Sequence, residues 1–412
     1  MKIVYLVQYF YPEKASGLQL VEDLLEGFAN RGWKTDLFTP IPTRGVTDEQ
    51  RRKYAKKRVE SQYEGKLVIH RMHLYREGKG FISRAIRYIL FSIECFWKAA
   101  TVPADFIFTG SGPPTQGVIV GLAKKVSGKK VIYNLQDIFP DSLVTSGICK
   151  ENSILMKIGH IMEQFTYRNA DHIITITDDM RTNILKKGVP EEKISVIRNW
   201  IDTDKVQNIN RTDNKLFDEL KLARDKFYVV YAGNLGKVQG VEVILKAANL
   251  LKEYEKIRFV IFGNGSEEDS LKRMIVEKQL QNVRMFPLQP IERVPEVYSI
   301  ADVSVISCTP GTGGSGMPSK TWTIMATGVP IIASFDTESE MERTIKEAGC
   351  GFCVEAGNEN VLSECIIQLY QDGELKETFG NNARRFAKTK VSKTEAVNMY
   401  LKTIESVFAK EK

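Results

Sequence analysis

Residues 311–330 combine a very glycine-rich turn with side chains that bind anions. Four glycines fall within a few positions, namely Gly311, Gly313, Gly314 and Gly316. Glycine lets backbone N–H groups approach an anion closely, and Pro318 suits the first turn of a helix. Ser319 adds a hydroxyl donor and Lys320 a positive charge. The stretch is therefore predicted to hold a diphosphate, the alternative being a solvated lysine on a loop.

Further glycine-rich turns follow strand-like runs: Ala15-Ser16-Gly17, Gly110–Pro114, Gly233–Lys237 and Gly263–Gly265. None has the form G-x-G-x-x-G or G-x-x-x-x-G-K-[ST], so nicotinamide-dependent hydride transfer and P-loop hydrolysis lack their usual signatures. One such turn is ordinary turn chemistry. Several on the expected edges of two sheets favour phosphate binding at helix N-termini.

The elements that must position these turns alternate between strands and helices. Continuous apolar runs such as KIVYLVQYF and IRFVIFG predict buried parallel strands, with helical patterns between them. The predicted fold is α/β, with two doubly wound Rossmann-like domains facing across a cleft. Residues 1–198 are predicted to form an N-terminal domain and residues 199–385 a C-terminal domain. Residues 386–412 form a C-terminal helix that packs back toward the first domain. Such sheets bind ligands outside the carboxyl ends of their strands.

Composition indicates a globular protein: 412 residues, 43% hydrophobic and 26% charged. No uncharged apolar stretch approaches the roughly 18–20 residues of a spanning helix, and the first strand follows Met1 without a cleavage site. The six cysteines are scattered, and only Cys350-Gly-Phe-Cys353 has the C-x-x-C form. Reduced thiols are favoured over a zinc or redox site, which predicts a cytoplasmic protein.

The net charge of +7 comes from one segment. Residues 44–98 hold 14 Lys+Arg against six Asp+Glu, with dense clusters at 51–53 and 56–58. In residues 81–91, apolar side chains recur at helical spacing with arginines between them. This pattern predicts peripheral contact with the inner face of a membrane through residues 51–98. The alternative is a core helix with solvated charges; nucleic acid is disfavoured because the basic residues are confined to one region.

Taken together, short motifs spread along the chain resemble those of glycosyltransferase family 4, which has the two-domain GT-B fold. They are Tyr9–Pro12, Ala15–Gly17, Asn30–Gly32, Val196–Asp202, Gly233–Gly236, Phe262–Gly265, Ala301–Val303 and Met325–Pro330. Gln136–Pro140 and Pro318–Lys320 resemble a bacterial subgroup that builds O-antigen and capsule repeats, including N-acetyl-L-fucosaminyltransferases.

The resemblance implies a retaining transfer from a UDP-sugar, with the nucleotide on the C-terminal domain and the acceptor on the N-terminal one. Asp137 is expected to orient or deprotonate the acceptor hydroxyl, the alternative being a helix N-cap or turn, and Lys320 to stabilise the departing UDP. A lipid-linked saccharide on undecaprenyl diphosphate would explain a membrane contact. The expected substrate-binding residues are Gly17, Asn199, Asn234, Lys237, Gly263, Gly265, Ser315, Gly316, Met317, Pro318, Ser319 and Thr323.

Several positions depart from the family pattern. Ser315 and Thr323 replace paired glutamates, Gln239 replaces a lysine, and Gln136 replaces the histidine of a His-Asp pair. Asp202-Thr203-Asp204 has the D-x-D form, but its place at the domain crossover indicates a turn or helix cap, so no metal is expected. A nucleotide-sugar epimerase and a non-catalytic nucleotide-sugar-binding protein remain the alternative functions.

Overall fold

The computed structural model describes residues 1–15, 17–76, 78, 80–145, 149–150, 152–313 and 317–409, without the side chains of residues 81, 82, 84 and 85. The chain divides into two compact units. The first contains residues 1–198 together with 396–412, and the second contains residues 199–395.

The first unit is built on an eight-stranded sheet. Its strands are β1 (Lys2–Leu6), β2 (Lys34–Pro40), β3 (Val59–Gln62), β4 (Leu67–Met72), β5 (Phe106–Gly110), β6 (Lys130–Leu135), β7 (His172–Thr175) and β8 (Ile194–Val196). Their order is β3-β4-β2-β1-β5-β6-β7-β8, and every neighbouring pair is parallel except β3 with β4. The strand order reverses direction beside β1, which places a topological switch point at the carboxyl ends of β1 and β5.

Seven helices surround this sheet within the described residues. They are α1 (Leu18–Asn30), α2 (Asp48–Lys56), α3 (Phe81–Thr101), α4 (Gln116–Ser127), α5 (Asp141–Thr145), α6 (Ile154–Asn169) and α7 (Asp178–Lys186). The basic helix α2 begins at a capping box, in which the Thr47 hydroxyl accepts from the Gln50 N–H and the Gln50 side chain accepts from the Thr47 N–H.

The second unit is built on a six-stranded parallel sheet of order β11-β10-β9-β12-β13-β14. The strands are β9 (Phe227–Asn234), β10 (Ile257–Asn264), β11 (Val283–Phe286), β12 (Val303–Ser307), β13 (Ile331–Phe335) and β14 (Gly351–Glu355). The helices are α8 (Leu216–Glu219), α9 (Glu242–Leu250), α10 (Glu268–Glu277), α11 (Val294–Tyr298), α12 (Lys320–Ala326), α13 (Glu340–Ala348), α14 (Glu359–Gln371), α15 (Gly373–Lys390) and α16 (Lys393–Ala409), the last of which continues into the first unit. Two apolar clusters cover the two faces of this sheet.

The predicted α/β class with two doubly wound domains is confirmed. Strand β3 was not predicted, because its sequence VESQ is polar and exposed on an antiparallel edge, so it carries no buried apolar signal. The last helix begins at Lys393 rather than at residue 386, since α15 continues to Lys390 and the Ser392 hydroxyl accepts from the Glu395 N–H at the start of a new helix.

Residues 396–409 of α16 pack within the first unit. Tyr400 is fully buried, and its hydroxyl donates to Asn134 Oδ1 at 3.0 Å, beside the end of β6. Near the end of the helix, Arg31 Nε donates to Glu405 Oε1 at 2.7 Å. This helix therefore helps to fix the carboxyl end of β6, where Asp137 lies.

Candidate functional site

The carboxyl ends of β9 and β10 meet through glycines that leave no room for a side chain. A β-carbon on Gly263 would lie 2.4 Å from the Gly233 carbonyl oxygen, and one on Gly265 would lie 2.4 Å from that of Leu235. The Leu235 N–H donates to the Asn264 carbonyl at 2.9 Å, which joins the two loops. Both contacts are with backbone, which cannot move aside, so glycine is required at both positions.

Lys320 places its ammonium group at this edge of the sheet. The Nζ atom lies 4.1 Å from the centroid of the Tyr231 ring. A β-carbon on Gly233 would lie only 2.7 Å from the same Nζ atom. Removal of the lysine from water lowers its pKa to about 8. Within the described part of the chain no carboxylate forms an ion pair with Lys320. The positive charge is therefore held by a ring face and remains available to an anion.

The turn after β9 is shaped by the side chain of Gln239. Its Oε1 accepts from Asn234 Nδ2 and from the Gly236 N–H, both at 3.1 Å. Lys237 begins a short 3₁₀ helix. The Lys237 carbonyl accepts from Thr309 Oγ1 at 2.6 Å, which connects the turn to the end of β12. The Lys237 side chain is exposed. Gln239, which stands where the family carries a lysine, thus acts here as an acceptor that closes the turn.

The glycine stretch before α12 is anchored by Asp336, which follows β13. The Asp336 carboxylate accepts from the N–H of Gly311 at 2.8 Å and from that of Gly313 at 2.6 Å. The predicted site residues Ser315 and Gly316 lie outside the described residues. The start of the stretch is therefore fixed on the same carboxyl edge as the β9 and β10 turns.

The residues after the glycine stretch were partly misplaced by the prediction. Helix α12 begins at Lys320 with Ser319 at its N-cap, so Pro318 precedes the helix instead of occupying its first turn. The Pro318 carbonyl accepts from the Thr321 N–H, which starts the chain turning before the helix is formed. Met317 packs partly buried against the core, and Thr323 is half-buried on α12.

In the first unit, Asp137 follows β6 and is exposed. The backbone N–H groups of Gln136 and Asp137 both donate to Ser111 Oγ, at 3.1 and 3.2 Å. Gln136 Nε2 in turn donates to Asn134 Oδ1 at 2.9 Å. The Asp137 carboxylate accepts no helix-capping hydrogen bond from any residue that the structure describes. The segment is thus held by its backbone, and the carboxylate can reach a ligand.

A partly buried ion cluster involves Asp141, which begins α5 shortly after Asp137. Lys187 Nζ donates to Asp141 Oδ2 at 2.8 Å and to Glu163 Oε1 at 2.7 Å, and His160 Nδ1 lies 3.1 Å from Glu163 Oε2. Asp141, His160 and Glu163 bring their ligand atoms within 4.8 Å of one another. Because the ammonium group already supplies the positive charge between the carboxylates, the arrangement is that of a structural ion network.

Asp202 of the D-x-D motif caps a turn, and both thiols of the C-x-x-C motif are protonated at neutral pH. Asp202 Oδ1 accepts from the N–H groups of Asp204 and Lys205 at 3.1 and 3.2 Å, which is a turn-capping arrangement. Cys350 is buried and Cys353 half-buried, and both are unpaired. Burial raises the pKa of each thiol to about 12. Protonated thiols are poor metal ligands and poor nucleophiles.

The second unit therefore assembles five of the predicted residues along one edge of its sheet: Asn234, Lys237, Gly263, Gly265 and Lys320. Asn199 is half-buried at the start of this unit. Gly17 and Asp137 belong to the first unit, where Gly17 takes a left-handed conformation with φ 76° immediately before α1. That conformation is the one that favours glycine.

Sequence reasoning missed Tyr231 and Asp336. Tyr231 lies two residues before Gly233 on β9, so the two residues share a face of the strand and the ring reaches the lysine. This period of two could have identified the tyrosine. Asp336 carried no comparable signal, because the link between the end of β13 and residues 311–313 is a tertiary contact.

Two doubly wound domains with ligand-accessible strand ends match the GT-B architecture found in solved glycosyltransferase structures. Residues 19–205 match the family model Glycosyltransferase Family 4, and residues 212–386 match Glycosyl transferases group 1. The chain belongs to the family 4 glycosyltransferases and is an enzyme of that kind.

Among its relatives is the probable glycosyltransferase WbjE of Pseudomonas aeruginosa, which is 29% identical over 288 residues, or 70% of this chain and 71% of that protein. The putative colanic acid biosynthesis glycosyl transferase WcaI of Escherichia coli K12 is 25% identical over 287 residues, 69% of each chain. The crystal structure of Anabaena Alr3699/HepE in complex with UDP superposes with a TM-score of 0.73 at 15% identity, covering 98% of this chain and 100% of that one.

No described helix is long and apolar enough to cross a bilayer.

Proposed function

We propose that this glycosyltransferase moves a sugar from a UDP-sugar to a lipid-linked saccharide acceptor during synthesis of a bacterial surface polysaccharide, with retention of the anomeric configuration. The sugar that the sequence resemblance favours is N-acetyl-L-fucosamine or another N-acetylated hexosamine. The names of WbjE and WcaI support a glycosyltransferase, and that of WcaI supports polysaccharide synthesis.

The observation that carries the proposal is the position of Lys320. Its ammonium group lies beside Gly233 at an edge where side chains are excluded, and no carboxylate of the described residues neutralises it. A diphosphate brought there would meet a full positive charge and exposed backbone. A charge-assisted hydrogen bond contributes about 1.5–3 kcal/mol. The presence of UDP in the HepE complex supports a uridine nucleotide as the ligand.

The chemistry that these residues can perform is mainly stabilisation of the leaving group. When the bond between the anomeric carbon and the diphosphate oxygen breaks, negative charge develops on UDP, and Lys320 would stabilise that charge. Asn234 and the turn held by Gln239 would fix the position of the phosphates. Asp137 would orient the acceptor hydroxyl or accept its proton. We expect no metal to be required, since the lysine supplies the positive charge.

A calorimetric titration with UDP, in buffer containing EDTA, tests the proposal. Wild type should bind, and Lys320→Ala should bind about 10- to 150-fold more weakly, which corresponds to the loss of one charge-assisted hydrogen bond. Lys278→Ala, at an exposed lysine that follows α10, is the matched control and should bind like wild type. Titrations with ADP and GDP test whether the base is recognised.

Absence of UDP binding by wild type would contradict the proposed donor. Turnover separates the alternatives that share nucleotide binding. A transferase releases UDP only when an acceptor is supplied, whereas an epimerase converts the sugar while it stays attached to UDP. A protein that binds UDP-sugars without either reaction would be non-catalytic, the alternative that Ser315 and Thr323 in place of the paired glutamates keep open.

A further inference from the structure

Helix α3 exposes an apolar face in addition to the face that it buries. Phe91, Cys95 and Ala99 lie in the core beneath the helix. On the outer side, large apolar residues recur at helical spacing and are between 42% and 59% exposed; they are Ile86, Ile89, Leu90, Ile93 and Trp97. A helix that covers a sheet normally turns polar residues to solvent, so this outer stripe is unpartnered.

The same is true of the two helices that follow along the sheet. On α6, four apolar residues at positions i, i+1, i+4 and i+7 are between 49% and 76% exposed; they are Ile154, Leu155, Ile158 and Ile161. On α4, Leu122 is 40% and Val126 is 71% exposed. The region that the sequence marked as basic, residues 51–98, contains none of these six.

The three helices lie side by side with α4 in the middle. A β-carbon on Gly117 would lie 2.2 Å from Thr166 and one on Gly121 would lie 2.9 Å from Phe165, so the glycines bring α4 close to α6. At the other flank, Ser92 Oγ on α3 lies 2.8 Å from the hydroxyl of Thr115, just before α4. Because α4 packs between α3 and α6, the outer sides of the three helices adjoin one another.

We call these eleven residues of α3, α4 and α6 the three-helix apolar surface. A monomeric protein rarely exposes a contiguous apolar patch larger than a few hundred Å². Eleven exposed Ile, Leu, Val and Trp side chains exceed what an ordinary solvated helix layer carries. Apolar surfaces of this kind mark interaction sites.

The charges around this surface select an anionic partner. The sequences of α3, α4 and α6 contain only two acidic residues, Glu94, which is half-buried, and Glu163, which is buried. Exposed basic side chains accompany the apolar ones on the two later helices; they are Lys125, Lys157 and Arg168. Basic residues beside bulky apolar groups match a bilayer interface, where the apolar groups enter the acyl boundary and the cations meet lipid phosphates.

We propose that the three-helix apolar surface docks the enzyme on a bilayer that contains anionic phospholipid. The function of this contact rests on the proposed lipid-linked acceptor. The observations that support the contact do not depend on the identity of the sugar donor. The contact shares the α3 residues with the segment 51–98 for which a membrane contact was expected, and it adds residues of α4 and α6. In that segment Arg51 and Arg87 are engaged inside the fold, where Arg51 donates to the carbonyls of Ile41, Pro42 and Leu74 and Arg87 to that of Tyr75.

Flotation of the full-length protein with phosphatidylglycerol-containing vesicles tests the proposal. Wild type should float, and a double substitution, Ile158→Glu with Ile161→Glu, should reduce the bound fraction at least about tenfold, since each change removes an apolar contact and adds a like charge to the lipid. Both residues lie outside residues 51–98. Val276→Glu on α10, where Val276 is 75% exposed, is the matched control and should float like wild type.

Three results would overturn the proposal: wild type that stays unbound at low salt, a double variant that floats as well as wild type, or a lipid-free dimer of wild type that the double substitution converts to a monomer. The last would assign the surface to a second copy of the chain. Thermal melting checks that the variants are folded. UDP titration of the same samples separates the two proposals, because loss of flotation with intact UDP binding concerns the surface alone.

Discussion

The ammonium group of Lys320 lies 4.1 Å from the centroid of the Tyr231 ring, at a point where only a glycine, Gly233, leaves space for it. The lysine is removed from water without a carboxylate partner among the described residues, and its pKa falls to about 8 as a result. The native state therefore holds an unneutralised charge in the absence of ligand, which makes the site responsive to anions and to pH.

Lys320→Met should weaken UDP binding and stabilise the unliganded protein. The substitution removes a desolvated charge, and a pKa lowered from 10.5 to about 8 corresponds to a gain of about 1–3 kcal/mol at neutral pH. Calorimetry measures the affinity, and denaturant unfolding without ligand measures the stability. A variant that is less stable than wild type would show that the ammonium group is satisfied in the native fold.

UDP affinity should fall as the pH rises above about 8. The protonated lysine binds the anion, and its protonated fraction decreases about tenfold per pH unit above its pKa. The stability of the free protein should change with pH in the opposite direction to the UDP affinity. It should increase between pH 8 and 10.5, because the unfolded state binds more protons than the folded state there. Titrations from neutral to alkaline pH check the first point. Lys320→Arg, which keeps its charge, should flatten the profile.

Gly263→Ala should destabilise the second unit. The new β-carbon would lie 2.4 Å from the Gly233 carbonyl, so β9 and β10 would have to separate at their carboxyl ends. Overpacking of this kind costs about 1–3 kcal/mol, and UDP binding should weaken with it. Chemical denaturation gives the stability. Gly373→Ala, where the added carbon meets nothing within 4 Å, is the control and should leave both quantities near wild type.

Asp137→Asn should reduce turnover without changing UDP affinity. If the carboxylate orients or deprotonates the acceptor hydroxyl, kcat should fall at least about 100-fold, while the melting temperature stays constant because the segment is held by backbone bonds to Ser111. Steady-state kinetics with donor and acceptor measures this. Asp213→Asn, at an exposed aspartate, should be neutral. Unchanged kcat in Asp137→Asn would assign Asp137 a structural role.

Lys187→Met should be strongly destabilising. It removes the ammonium group between Asp141 and the buried Glu163, and leaving a buried polar group without a partner costs about 1–3 kcal/mol. Adding Glu163→Gln should recover part of the loss. Urea denaturation compares the variants. Lys272→Met removes an exposed pair with Glu268 on α10 and should change stability by less than about 0.5 kcal/mol. Equal effects at the two lysines would contradict the network.

The sequence by itself determined the fold class, most strands and the glycine turns. Continuous apolar runs and helical stripes are local patterns, and each predicts its element without knowledge of its neighbours. Gly263 and Lys320 were found from the glycine-rich turns that follow such runs, and the apolar residues of α3 from their helical spacing. Strand β3 was not predicted, because an exposed polar edge strand has no such pattern. The first residue of α16 was not predicted, because the helical pattern of the sequence continues across Ser392.

Only the tertiary structure decided which residues meet. Tyr231 and Lys320 are far apart in the chain, and their contact depends on the parallel pairing that aligns the strand ends. The same holds for Asp336 with Gly311. The three-helix apolar surface is the strongest case, since α6 resembles an ordinary amphipathic helix until burial shows which of its apolar residues face solvent. Periodicity gives the direction of a side chain about its helix axis, but the packing of neighbouring helices and the sheet decides what lies there.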